Sequence, residues 1–175
     1  MMSSRPKRTL NTQKSLIIVS IFLLVDFAIG TLIGVQQNLP AGLGGKTGKT
    51  AAEEFLTNGT ALSPPVVFCL VIALFILFVS LPRPRWLGTL GVVGLILLGV
   101  LGIITGLGEP IVSKIFNPAT FDLPLATLEA VGYLLILLMI AFAGGELVHR
   151  IQRRRPRRKQ SVDQVPVKSS LKSSS

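Results

Sequence analysis

Reactive side chains are scarce in this sequence. It holds one cysteine, one histidine, one tryptophan and one tyrosine, with only 8 acidic residues among 175. A lone Cys69 excludes any disulfide within the chain and any cysteine-based metal site. With His149 as the sole imidazole, no His/Cys metal cluster and no Ser/His/Asp or Cys/His catalytic set can be assembled. Cys69 stands inside an apolar run, where a thiol behaves as a small hydrophobe. His149 stands among arginines where another such run ends, an interfacial position rather than that of a ligand. The expectation is a protein that is not an enzyme and carries no metal or cofactor.

What is abundant is apolar length. Hydrophobic residues make up 49% of the chain and mean hydropathy is +0.63, which places it among membrane proteins. Four runs, 15–35, 64–81, 87–107 and 123–143, each approach the ~20 residues that an α-helix needs to cross ~30 Å of hydrocarbon. The predicted fold is an all-α integral membrane protein, with four transmembrane helices (about 15–36, 64–81, 87–107 and 123–148) in an up-down-up-down bundle. Residues 1–14 form a basic N-terminal segment and residues 149–175 a polybasic, serine-rich tail, expected to be disordered. A cleaved signal peptide is the alternative for the first run, but its ~21 apolar residues exceed the ~7–15 of a signal core and no clear small-x-small site follows.

Basic residues set the orientation. The N-terminal segment carries Arg5, Lys7, Arg8 and Lys14, the 82–86 connection carries Arg83 and Arg85, and nine more follow from Arg150 onward. The opposite side has only Lys46, Lys49 and Lys114. Because the richer side normally stays inside, both termini are predicted to be cytoplasmic, in a plasma or bacterial inner membrane, with residues 36–63 and 108–122 outside. The cluster Arg153, Arg154, Arg155, Arg157, Arg158 and Lys159 reads chiefly as a stop-transfer anchor that also attracts anionic lipid headgroups, at ~1 kcal/mol per residue near the surface. Its juxtamembrane position argues against nucleic acid as the partner.

The stretch AGLGGKTGKT (residues 41–50) imitates a phosphate loop, yet the first glycine required by the Walker spacing is Leu43. A membrane helix precedes it instead of a strand, and it lies outside, so nucleotide is not an expected partner. Asn58-Gly59-Thr60 is a formal glycosylation triplet on the outer side, but it lies about five residues from the second span.

Small residues mark expected packing faces. In the third span Gly88, Gly91, Gly99, Gly102 and Gly106 share an arc of about 80°, with Gly94 apart. In the first span Gly30 and Gly34 form a GxxxG pair on the face of Asp26 and Gln37. The second span lacks such a stripe and is expected to be the most lipid-exposed, leaving the first, third and fourth spans with the tightest contacts. Homo-oligomers or a larger membrane complex could use the same glycine faces.

Asp26 lies near the middle of its span, where a charged carboxylate costs at least ~2.5–3.5 kcal/mol, and Glu129 lies about two turns into the fourth. Glu109 sits at the outer end of the third span, Tyr133 one turn beyond Glu129 and Gln37 beyond Asp26. Two readings follow. The first is a non-enzymatic scaffold or accessory subunit whose acids hydrogen-bond between helices; the alternative is a small proton- or cation-linked transporter or channel lined by them.

Overall fold

A computed structural model describes residues 8–41, 49–81, 84–107 and 122–154. Most of the described residues are helical, with no named strand among them. In chain order the elements are α1 (Arg8–Gln36), α2 (Ala51–Glu54), α3 (Val66–Ser80), α4 (Arg85–Leu107) and α5 (Leu123–Arg154). Three of them, α1, α4 and α5, are long and apolar enough to cross a membrane, and α3 is a shorter apolar helix.

Local chemistry explains where the helices begin. Pro65 stays extended with ψ 144°, and its carbonyl accepts the N–H groups of Phe68 and Cys69. Pro64, which precedes a proline, is driven out of the helical region, and the extended Pro65 is the N-cap, so α3 begins only at Val66. What remains is 15 residues, about 22 Å at 1.5 Å each. Asp122 caps α5: its Oδ1 accepts the Leu125 N–H at 3.2 Å and its carbonyl accepts the Ala126 N–H at 2.9 Å. Arginine suits a helix, and α5 continues through Arg153 to Arg154, beyond the apolar run.

The apolar helices pack in a ring, α1 on α3, α3 on α4, α4 on α5 and α5 back on α1. Their shared core contains Leu16, Leu23, Ile72, Val79, Val92, Leu95 and Met139, all essentially inaccessible. Around it, large apolar side chains such as Phe22, Leu32, Leu70, Leu97, Ile104 and Leu134 are more than 50% exposed, on all four helices. Soluble surfaces rarely carry so continuous an apolar belt.

The helix of the second run is not the loosely held one. Gly91 and Gly94 of α4 face α3: a Cβ at Gly91 would stand 2.7 Å from the Phe75 carbonyl oxygen, and one at Gly94 2.6 Å from the Phe75 ring. Gly99, Gly102 and Gly106 instead face α5, at Ile140, Ile136 and Tyr133, and Gly88 lies against the Arg150 side chain. The single glycine face expected of α4 is thus divided between two neighbours, because a helix placed between two others uses a wider arc than one contact needs.

The described residues between α1 and α3, 37–41 and 49–65, fold onto the end of α1. Thr50-Ala51-Ala52-Glu53 opens α2, with Glu53 Oε2 accepting the Thr50 N–H at 2.8 Å. That bond, more than the nearby Lys49, holds the exposed Glu53 carboxyl below its ordinary pKa. Asn38, at φ 50°, offers Oδ1 to the Ala51 N–H at 2.9 Å, and the Ala61 N–H donates to the Leu39 carbonyl at 3.0 Å.

Candidate functional site

A cavity of about 370 Å³ opens between α1, α3, α4 and α5 and is bounded at one end by residues 57–65. Its walls are mainly apolar, and two carboxylic acids enter it, Asp26 from α1 and Glu129 from α5. Hydropathy placed these acids in different runs; helix packing brings them to one chamber. The Asp26 carboxyl rests against Gly132, where a Cβ would stand 2.9 Å from Oδ2. Glu129 precedes Gly132 by three residues, about 4.5 Å of helix rise, so the two acids reach the chamber at neighbouring levels. Tyr133 also lines it, its hydroxyl lying in the notch left by Gly106, where a Cβ would be 2.5 Å from Oη.

The remaining expected members divide. Gln37 lies beyond the end of α1, is exposed and does not line the cavity. Glu109 lies outside the described residues, as do Arg155, Arg157, Arg158 and Lys159. Arg153 and Arg154 are the last two residues of α5. Gly30 and Gly34 meet no neighbouring helix at their closest contacts, contrary to their reading as helix-packing positions. Their Cβ positions fall 2.5 Å from the Leu62 carbonyl oxygen and 2.5 Å from Thr60 Oγ1 respectively, so the GxxxG notch seats the loop of residues 57–65. A glycine pair creates a smooth surface without specifying what covers it.

That loop supplies polar groups which the sequence reading passed over. Thr31 Oγ1 hydrogen-bonds the Phe27 carbonyl and also Ser63 Oγ, each at 2.8 Å, and Ser63 Oγ pairs with Thr60 Oγ1 at 2.9 Å. Thr60 and Ser63 are buried and line the chamber. The supposed glycosylation triplet is therefore part of a tight turn, with Gly59 at φ 81° and the Thr60 hydroxyl turned inward. Gly132 was also missed. Its spacing of three from Glu129 was the available signal, since that places both near one side of α5.

Beyond the chamber floor the interior is packed. Leu16, Val79, Val92, Leu95 and Ala143 are all buried there with essentially no accessible surface. Nearer the basic ends, Gln13 Nε2 donates to the Val79 carbonyl at 2.7 Å, and Arg150 Nε donates to the buried Glu146 at 2.8 Å. Asp26 and Glu129 were the salient acids in the sequence; Glu146, four residues before Arg150, forms an ion pair with it. No group of three His, Cys, Asp or Glu side chains able to hold a metal occurs among the described residues. Comparison with protein-family models, with characterised proteins and with solved structures found no match to this chain.

Proposed function

We propose that the protein is an integral membrane protein of four crossings, running up-down-up-down with both termini cytoplasmic, in a plasma or bacterial inner membrane. It acts without catalysis, as a scaffold or accessory subunit of a membrane assembly, and its outer half forms a chamber for a guest group. The observation that carries this reading is the contrast along the helix ring: a cavity between the helices at the loop-covered end, and a packed, mainly apolar block, with Ser20 and Glu146 buried beside it, at the basic end. A block with no accessible surface supports binding rather than conduction. The exposed apolar belt supports a lipid surround, in which α3, at about 22 Å, crosses with help from the flanking Pro64-Pro65 and Leu81. The tail's basic residues then lie against anionic headgroups.

The presence of both acids on the chamber favours a second reading, proton- or cation-linked transport. Cysteine labelling separates the two. In a Cys69→Ser background, Gly102→Cys places a thiol in the chamber wall at a position with room for a Cβ, 3.7 Å from Ile136. Leu95→Cys places one in the block. A membrane-impermeant maleimide is expected to label Gly102→Cys from outside only and Leu95→Cys from neither side. Labelling of Leu95→Cys would establish a water path and favour transport; labelling of Gly102→Cys only from the cytoplasmic side would reverse the orientation.

A further inference from the structure

The chamber's composition narrows what it can hold. Among the described residues its lining contains two carboxylic acids and no lysine, arginine or histidine. An anionic guest would therefore find no basic side chain to pair with among the described residues of the lining. A bare metal ion is a poor fit as well, since hard cations take about six to eight oxygen ligands and most of these walls are apolar. Aromatic rings are the third component: Phe27 from α1, Phe68 from α3 and Tyr133 from α5 all line the same space. Aromatic faces attract cations within ~6 Å of the ring centroid, and they do so most strongly where water is excluded. Acid groups supply the opposite charge, and apolar walls accept the rest of the molecule.

From this we infer that the outer chamber binds a lipophilic organic monocation, an ammonium or phosphonium centre carrying apolar substituents. The cavity, about 370 Å³, falls in the ~300–1,000 Å³ range of small-molecule sites. Glycines make the room: Gly99, Gly102 and Gly106 of α4 and Gly132 of α5 all line it. Asp26 and Glu129 face the charged centre from the neighbouring helices α1 and α5, while Phe27 and Phe68 complete its surround. Access follows from the lining as well, because Asn58, Leu101 and Thr105 belong to it and are exposed. This assignment rests on the chamber being open to the outer side, as proposed above.

The test uses the full chain in nanodiscs of zwitterionic lipid, with radiolabelled tetraphenylphosphonium as probe and empty nanodiscs as background. Tetraphenylborate, of the same shape and opposite charge, is the matched control. Saturable binding of one tetraphenylphosphonium per chain is expected, with no saturable binding of tetraphenylborate. Asp26→Asn and Glu129→Gln are each expected to weaken it at least tenfold, Asp26→Glu by only a few-fold, and Glu53→Gln, outside the chamber, not at all. Equal binding of both ions would show that shape and apolarity alone select the guest, and would overturn the assignment. So would unchanged affinity in both acid variants, or no saturable binding of the cation. If the acid variants do not fold, the comparison of the two ions on the unmodified chain still decides. Outside labelling of Gly102→Cys together with absent cation binding would retire the monocation while leaving the open chamber standing; absence of that labelling would retire both.

Discussion

Substituting alanine for glycine at two positions isolates the contact that docks the loop of residues 57–65. Gly30 and Gly144 are both interior helix residues, so each gains about 0.5–1 kcal/mol of backbone propensity when a methyl group is added. Their surroundings differ completely. A Cβ at Gly144 meets nothing within 4 Å, whereas one at Gly30 lies 2.5 Å from the Leu62 carbonyl oxygen and 3.2 Å from its carbon. Ordinary nonbonded contacts between carbon atoms optimise near ~3.5–4.0 Å, so the loop must withdraw by about 1 Å. That movement pulls on the Thr31–Ser63 hydrogen bond, 2.8 Å long, on the same segment. Overpacking of this kind costs about 1–3 kcal/mol. Gly144→Ala is therefore expected to stabilise by about 0.5–1 kcal/mol. Gly30→Ala should fall about 1–3 kcal/mol below it, the propensity gain cancelling between the two. Unfolding in mixed micelles, titrated with a denaturing detergent, measures the difference. Hydrogen exchange at the Ala61 N–H, bonded to the Leu39 carbonyl, reports whether the loop has loosened. Equal stability of the two variants, with Ala61 still protected in Gly30→Ala, would refute the claim that the GxxxG notch exists to seat this loop.

Three further outcomes are expected. Leu95→Ala removes a fully buried side chain from the block and should destabilise by about 2–5 kcal/mol in the same titration, opening space toward the basic end. Glu146→Ala strands the partly buried Arg150 guanidinium and should cost about 1–3 kcal/mol, with little relief at high salt because the acid is enclosed. Glu53 has a lowered pKa in the fold, so its contribution to the α2 turn is present above the ordinary carboxylate range and is lost as pH falls through the lowered value. Carbon-detected NMR titration of Glu53 should give a midpoint below that of a free glutamate, and Thr50→Pro, which deletes the donor N–H, should raise it.

Much of the secondary structure is legible without coordinates. The apolar runs at 15–35, 87–107 and 123–143 each lie within one long helix, because a run of that length with at most one acidic residue has one low-energy backbone in an apolar medium. The run at 64–81 is helical only between Val66 and Ser80, and the reason is also local, since consecutive prolines hold the chain extended. Side-chain partners are less legible. Glycines can be placed on a helical wheel, but the wheel does not say that Gly91 and Gly94 meet α3 while Gly99 and Gly106 meet α5. Gln37 shares a face with Asp26 on that wheel, yet it lies past the last helical residue and turns to solvent.

Hydropathy and charge by themselves determined the apolar helices, the scarcity of catalytic chemistry and the candidate status of Asp26, because each depends on a residue and the solvent that surrounds it. Only the tertiary structure decided that Asp26 rests on Gly132, that Glu129 and Tyr133 open onto the same space and that Thr60 and Ser63 cover it. Those relations depend on how each helix is rotated about its axis and which neighbour fills each notch. Rotation is set by the joint packing of all the helices and the loop, and no single segment carries that information.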